Sequence, residues 1–218
     1  MAGTEMPNPL PVSAKVFDLM RIQNVSPVNG GFFQTVDRIT PLWTAKYQTP
    51  SLYPARDQAF QAFLDGLQGS VNTFLGFDPR RPKPYAYASF AYGVKPWEQS
   101  SNSTQIYSAS NSASTITIHG LANGAVLTPG DYVSWFNSSA NNIWYLHRIT
   151  VGATAASNSA TVTVQPPPID ISAGGANFAR LERACAEMKI IGGIQKSDKV
   201  EDIGPTYSFS AVQFISRS

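Results

Sequence analysis

The sequence predicts a mainly β protein with one helix. A host β-sandwich or split-barrel domain is covered by that helix, and a small β-barrel or β-sandwich domain is inserted into it. Three observations lead to this fold class. The stretch 51–84 carries helix start, periodicity and stop signals, and short strand patterns recur on both sides of it. Between Gln99 and Gln165 only Asp131 and Arg148 are charged, and this shift in composition marks the insertion.

The helix is predicted to begin at Pro54, with Asp57 in the first turn, where a carboxylate favours the helix dipole. Gly66 and Gly69 offer the left-handed backbone that ends a helix. Four apolar residues at i, i+3, i+4 and i+7 form one face: Phe60, Phe63, Leu64 and Leu67. A helix of about three turns needs a sheet to cover.

The predicted strands of that sheet lie on both sides of the helix in the sequence. Residues 1–14 are rich in proline and small polar residues and predict an arm. Asn29-Gly30-Gly31 predicts a turn between strands. The predicted strands before the helix are 17–21, 32–39 and 42–48. After it, 71–77 predicts a strand that the prolines of 78–84 end, and the alternating aromatic and small residues of 85–92 predict another.

Inside the low-charge region, turn chemistry separates short strand patterns. Thr128–Asp131 predicts a tight turn and Asn137–Asn142 a hairpin loop. The predicted strands are 105–108, 115–119, 132–136, 143–151 and 160–164, which together indicate a small barrel or sandwich. The three prolines at 166–168 predict a stiff exit.

The charged residues return after residue 168. The pattern of 178–188 fits either a helix or a strand, whereas 206–215 predicts a terminal strand that returns to the first sheet. The domains predicted are therefore an N-terminal arm (1–14), a discontinuous host domain (15–98 plus 169–218) and an inserted outer β-domain (99–168).

The composition narrows the classes of function. With 218 residues, 43% hydrophobic and 14% charged, the chain can bury a real core. A net charge of +2 is too small to indicate a specific nucleic-acid partner. The N-terminus lacks the basic start and apolar run of a signal peptide, and no apolar run is long enough to span a bilayer. We expect synthesis in the cytoplasm and no membrane insertion.

The sequence offers no catalytic motif. It contains no Gly-x-Ser-x-Gly, phosphate loop or His-Glu-x-x-His pattern. Asp18 with Asp37, or a carboxylate pair within 198–202, has the chemistry of a glycosidase, but pairs of this kind occur in any chain of this size. His119 and His147 lie on predicted strands and Cys185 lies beside two alanines, positions typical of structural residues. We expect no enzyme, no cofactor and no metal site.

Two groups of residues are candidates for binding. Trp135, Trp144 and Tyr145 in the insertion can stack on sugars, or alternatively fill a small barrel. The basic cluster after the helix–strand unit is either a solvated loop or a contact with a neighbouring subunit. This basic cluster consists of Arg80, Arg81 and Lys83. If it contacts a neighbouring subunit, its candidate acidic partners there are Asp198, Glu201 and Asp202.

The order of these parts resembles a known family. Leu42-Trp43-Thr44-Ala45-Lys46-Tyr47, the helix Ala59–Gly69, Thr73-Phe74-Leu75 and Asp78-Pro79 are similar to the tryptophan strand, helix, aromatic strand and Asp-Pro loop of distal tail proteins of long-tailed bacteriophages. Leu127–Tyr132, Trp144-Tyr145 and Ala160–Pro167 resemble their inserted β-domain. The resemblance covers roughly 17–215, and 180–188 departs from it.

The resemblance implies a structural virion protein of the tail tip. It implies six copies in a ring around a central channel, which joins the tail tube protein to tail-tip hub or baseplate proteins, with the insertion pointing outward. Bare edge strands, which invite pairing with another chain, fit that role. The alternative from a different class is a carbohydrate-binding or adhesin module that uses the insertion's aromatic residues.

Overall fold

The computed structural model describes residues 3–7, 13–28, 32–37, 40–91, 93–98, 104–137, 143–169, 177–197 and 204–215. This part of the chain is mostly β with a single α-helix, so the predicted fold class is confirmed. Its elements are β1 (Thr4–Glu5), β2 (Ser13–Met20), β3 (Gln23–Val28), β4 (Phe32–Asp37), β5 (Leu42–Gln48), α1 (Pro54–Leu67), β6 (Phe74–Phe77), β7 (Gln105–Ser110), β8 (Thr115–His119), β9 (Val126–Leu127), β10 (Tyr132–Asn137), β11 (Ile143–Val151), β12 (Ala153–Thr154), β13 (Ser159–Gln165), β14 (Asn177–Arg180), β15 (Cys185–Lys196) and β16 (Tyr207–Gln213).

One open sheet has six strands in the order β1-β6-β15-β16-β5-β2. Adjacent strands of this sheet are antiparallel, except that β1 runs parallel to β6 and pairs Thr4 with Phe74. The terminal strand predicted over 206–215 is β16, and it returns to the first sheet as predicted, where it lies between β15 and β5. Part of the segment predicted as an arm therefore belongs to this sheet, because β1 and the start of β2 lie within residues 1–14.

The helix α1 covers one end of this sheet. Pro54 lies in its first turn, and its buried residues are the four of the predicted stripe, Phe60, Phe63, Leu64 and Leu67. Phe60 packs edge-on against Tyr207, with ring centres 5.0 Å apart. The prediction of a helix over this stretch is confirmed. The left-handed residue at its C-cap is Gln68, with φ 49°, and Gly69 follows with φ 71°.

A closed six-stranded barrel follows in the order β10-β11-β13-β8-β7-β14. Five of its strands lie within the predicted insertion. The sixth, β14, comes from 169–218, which the sequence assigns to the host domain. The ambiguous stretch 178–188 contains the end of β14 and the start of β15, separated by a turn in which Arg183 has φ 49°. The chain therefore passes from barrel to sheet at this turn rather than at residue 168.

The prediction of a strand over 85–92 is wrong. Tyr85–Tyr87 forms one turn of 3-10 helix, followed by further turns. The Asp131 carboxylate accepts the Tyr85 N–H at 2.8 Å, and the Lys83 ammonium donates to the carbonyl oxygens of Phe90 and Ala91. These side-chain bonds take up backbone groups that a strand would pair in a ladder. The aromatic–small alternation has no sheet face to fill, and Tyr85 is 80% exposed.

The barrel has an apolar core of its own, and a second apolar cluster joins the sheet to the outer side of the barrel. Trp43 of β5 is fully buried and donates its indole N–H to the carbonyl oxygen of Leu146 in β11 at 2.7 Å. Its ring stacks on Phe17 at 5.5 Å and meets Tyr132 edge-on at 5.6 Å. One face of the sheet is therefore covered by α1 at one end and by the barrel at the other.

An ion pair closes the rim of this junction. The Arg148 guanidinium lies 5.1 Å from the Trp43 ring and 5.5 Å from the Tyr132 ring, and it donates to Asp18 at 3.1 Å. The Leu19 N–H, more than Arg148, lowers the pKa of Asp18. Asp18 is thus engaged in a structural contact with Arg148.

The two predicted turns of the insertion have different outcomes. Thr128–Asp131 is a tight turn in which the Asp131 N–H donates to the Thr128 carbonyl at 3.1 Å and Gly130 has φ 95°. This conformation requires glycine at the third position of a type II turn, so the prediction is confirmed. The loop predicted over Asn137–Asn142 and the turn over Asn29–Gly31 lie almost entirely outside the described residues.

Candidate assembly surface

One edge of the open sheet is unpaired in the described chain. There β2 pairs with β5 alone, and among the described strands nothing lies on its other side. The chain then continues through Arg21 and Ile22 into β3, which pairs with β4. An edge of this length exposes a row of backbone donors and acceptors that can pair with another chain.

Apolar side chains are exposed along this edge. Val16, Met20 and Ile22 are all exposed, and β2 carries Lys15 and Asp18 as its charged residues. Natural edge strands are commonly protected by charge, proline or a covering element. Lys15 and the bulge between Ala14 and Val16 give β2 limited protection, so the edge is suited to pairing.

The strands β3 and β4 form a two-stranded ribbon that extends from this edge. All of its described side chains, 23–27 and 33–36, are exposed. Its register places Val25 opposite Thr35 and Pro27 opposite Phe33, while Asn24 lies opposite Val36 and Ser26 opposite Gln34. Residues directly opposite each other share a face of the ribbon. One face therefore carries Val25, Pro27, Phe33 and Thr35, and the other carries Asn24, Ser26, Gln34 and Val36.

No binding role is predicted from the sequence for this ribbon. The signal for it is present, because Asn29-Gly30-Gly31 predicts a turn and the flanking residues then fix which side chains share a face. The exposure of the ribbon's side chains could not be predicted from the sequence, because a strand that contains Val and Phe normally packs on a core.

The basic cluster lines a cleft of about 740 Å³ beside the Thr128–Asp131 turn. Arg80 forms a two-bond pair with Asp78, at 3.0 and 3.2 Å. The Lys83 side chain is buried and lies 3.5 Å from Glu182, whose side chain is buried too. Arg81 donates to the Gly130 carbonyl oxygen at 3.4 Å.

The cleft is therefore close to neutral. Its three cations are matched by the carboxylates of Asp78, Glu182 and the buried Asp131, whose oxygens accept the N–H groups of Tyr85 and Thr128. Lys83 is engaged within its own chain by Glu182 and by the carbonyl oxygens of Phe90 and Ala91, and its predicted contact with a neighbour stays a prediction. Arg80, half exposed and held by Asp78, and Arg81 stay candidates for that contact.

Asp198, Glu201 and Asp202, the proposed partners of that cluster, lie outside the described residues. The chain enters that segment from Ser197, at the far end of β15 from Cys185, and Cys185 pairs with Phe77 beside Asp78. A twelve-residue strand spans roughly 35 Å. Ser197, the last described residue before this acidic segment, is thus far from the cleft of the same chain. The pairing of the acidic residues with the basic cluster of a neighbouring copy stays a prediction.

The three aromatic residues predicted to stack on a ligand are buried. Trp135 is inside the barrel, stacked on Tyr145 at 5.1 Å, and Trp144 lies beneath the Arg180 guanidinium at 4.4 Å. Their rings have no exposed face for a sugar or a base. Trp135 and Tyr145 follow the other interpretation of the sequence and fill the barrel, whereas Trp144 packs outside it with Leu75 of β6 and Cys185 of β15.

Three further candidates have structural surroundings. His147 accepts the Trp135 indole N–H at 3.1 Å through Nε2, so its Nδ1–H donates to the Pro166 carbonyl oxygen at 2.8 Å, and burial lowers its pKa to about 4. Burial raises the pKa of the Cys185 thiol to about 12. His119 stacks on Tyr107 with ring centres 4.3 Å apart. Within the described ranges, no three His, Cys, Asp or Glu side chains cluster as a metal site would require.

The comparisons with known proteins add no family. No family model matches the chain, and no curated protein matches it at a significant level. In the described part of the chain, α1 is too short and too polar to cross a bilayer. The geometry of the edge and the ribbon is therefore the basis for a functional proposal.

Proposed function

We propose that this chain is a structural virion protein of a phage tail tip, and that identical copies form a ring that joins the tail tube to the tip or baseplate proteins. The observation that carries the proposal is the unpaired edge of β2, continued by an exposed ribbon. In a monomer such an edge leaves backbone N–H and C=O groups open to unwanted pairing, whereas in an assembly the same groups can pair with a neighbouring copy.

The two edges of the sheet permit a ring. The edge at β2 and the opposite edge at β1 and β6 differ in sequence and in length, so copies in which the β2 edge meets the opposite edge of the next copy join head to tail. Head-to-tail contacts close into a ring when the rotation per copy divides a full turn. Six copies, as the resemblance to distal tail proteins implies, is the number we propose.

The titratable groups support a structural role as well. Asp18, Asp78 and Glu182 are each paired with a cation, and His147 is buried and bonded at both ring nitrogens. A catalytic acid or base must instead reach a substrate from a cleft. These side chains stabilise the junctions between elements and are not free for chemistry.

Immunolabelling tests the assignment to the tail tip. Gold-labelled antibodies against this chain are applied to tailed particles from the phage that encodes it and viewed in negative stain. We expect gold at the distal end of the tail, and antibody pre-absorbed with purified chain should give none. Label on the head or along the whole tail would contradict the proposal, and so would intact particles without label.

A second function, sugar binding by the barrel, is favoured by one observation. Tyr107 is 40% exposed and its ring is held by stacking on His119. Nearby on the outer face of the barrel, the hydroxyl groups of Thr117 and Thr161 lie 3.0 Å apart. An ordered aromatic ring beside neutral hydroxyls suits an uncharged glycan. Tyr107→Ala should abolish binding on a glycan array, whereas Phe178→Ala, at a comparably exposed barrel position, should not; no binding by the unmodified chain would reject this function.

A further inference from the structure

The exposed ribbon needs a partner. A two-stranded ribbon by itself is at best marginally stable in water. Its side chains from Asn24 to Pro27 and from Phe33 to Val36 are exposed, including Val25 at 58% and Phe33 at 72%. Apolar side chains that are exposed to this degree in a marginal element indicate a surface that is covered in the working state.

The two faces of the ribbon differ in chemistry. Val25, Pro27 and Phe33 lie together on one face, with Thr35 as the polar member. The opposite face carries two amides and a hydroxyl, from Asn24, Gln34 and Ser26, with Val36. The segment from Gln23 to Val36 contains no charged residue. A partner is therefore selected by apolar contact, which is typical of the interfaces of permanent homo-oligomers.

The position of the ribbon in the chain points to a second copy as the partner. It continues directly from β2, whose unpaired edge is the surface through which copies are proposed to join. A neighbouring copy that lies along that edge is placed beside the ribbon without any further protein.

We infer that the face formed by Val25, Pro27 and Phe33 packs against a second copy of this chain and stabilises the contact between neighbours. The inference rests on the proposed function in that it assigns the surface that joins the copies of the ring. Any other partner of this face would leave self-association unchanged when the face is altered.

Adjacent residues on opposite faces supply matched variants. Phe33→Ser removes the largest apolar side chain of the proposed contact, and Gln34→Ser changes the polar face one residue away. Because a buried Phe side chain strengthens a contact appreciably, Phe33→Ser should weaken self-association about 10- to 100-fold, as measured by sedimentation velocity over a concentration series. Gln34→Ser should weaken it less than about threefold, a small part of that effect. Both variants should keep the wild-type melting temperature, since both side chains are exposed.

A crosslinking measurement identifies what the face touches. Cys185, the chain's only cysteine, is buried, so Phe33→Cys provides a single reactive site for a photoactivated maleimide. Equal amounts of ordinary and 15N-labelled protein are mixed at a dilution at which the chain is dissociated, and then concentrated, crosslinked and digested. We expect peptides that join the two isotopes, with Gln34→Cys giving far fewer. Crosslinks confined to one isotope would overturn the inference, and so would a chain that stays monomeric up to its solubility limit or a Phe33→Ser variant that assembles like wild type.

The outcomes separate the two proposals. A chain that assembles through this face but does not label at the tail tip refutes the proposed function and keeps the inference. A chain that labels at the tail tip and assembles equally well after Phe33→Ser refutes the inference alone.

Discussion

The hydrogen bond between Trp43 and Leu146 ties the sheet to the barrel, and a matched pair of tryptophan variants measures its contribution. Trp43 and Trp97 are both fully buried. The Trp43 indole donates to the Leu146 carbonyl oxygen at 2.7 Å, whereas the Trp97 indole nitrogen has no hydrogen-bond partner among the described residues. Replacement of each by Phe removes a similar volume, but only Trp43→Phe breaks a hydrogen bond.

The magnitudes follow from the two environments. Both variants lose part of a packed aromatic side chain and leave a small cavity, at a cost of about 1–3 kcal/mol each. Trp43→Phe also leaves the Leu146 carbonyl oxygen buried without its donor, which costs about 1–3 kcal/mol more. Trp97→Phe removes a buried donor that was unpaired, so no such cost arises. We expect Trp43→Phe to be the more destabilising of the two by about 2 kcal/mol.

Urea unfolding followed by far-ultraviolet circular dichroism measures this difference. Fluorescence is unsuitable as the main probe, because each variant removes one of the four tryptophans. A single cooperative transition for both variants would show that sheet and barrel unfold together. Equal destabilisation by the two replacements, or a greater effect of Trp97→Phe, would refute the hydrogen bond as a link between the two parts.

Three further predictions concern the interior. Leu64→Ala and Phe63→Ala should each lower the free energy of unfolding by about 2–5 kcal/mol, whereas Gln58→Ala on the exposed face of α1 should change it by less than about 0.5 kcal/mol in urea unfolding. Burial lowers the pKa of His147 to about 4, so below pH 6.5 the unfolded chain binds a proton that the folded chain does not. Stability should therefore fall by up to about 3 kcal/mol between pH 6.5 and 4, and His147→Gln should remove that part of the pH dependence of the urea midpoint; an unchanged profile would contradict this. Lys83→Met leaves the buried Glu182 without its cation and should cost about 3–5 kcal/mol in thermal or urea unfolding, part of which Glu182→Gln should restore in the double variant; no restoration would count against a pair.

The elements that the sequence predicts well are those whose periodicity reports a single buried face. The stripe of α1 and the alternation of β16 each pack on one core, so pattern and burial agree. The run Ile143–His147 is different, because β11 lies between the barrel interior and the sheet and is buried on both faces. Trp144 and Tyr145 are adjacent in β11, and both are buried for this reason. A strand pattern that assumes one buried face predicts that one of two adjacent residues is exposed, so it does not reveal a strand that is buried on both faces.

Long-range contacts explain what the sequence did not predict. The local pattern around Arg80 to Lys83 predicts a basic surface, but Glu182, ninety-nine residues from Lys83, neutralises it. Residues 85–92 have the composition of a strand, yet Asp131 and Lys83 hold their backbone in turns. The strand β14 joins the barrel across the predicted domain boundary because its partners, β7 and β10, lie far away in sequence. The contacts made by Glu182, Asp131 and β14 join parts of the chain that are far apart in sequence, and they have no local signal.

The most direct measurement of the ring is a cryo-electron microscopy map of the tail tip of the particle that contains this chain. The proposed assembly predicts a closed ring of six copies in which the outer edge of β2 and the Val25–Phe33 face of the ribbon are covered by the neighbouring copy. A map that shows the chain as an isolated monomer, with the edge of β2 and the ribbon facing solvent, would contradict it.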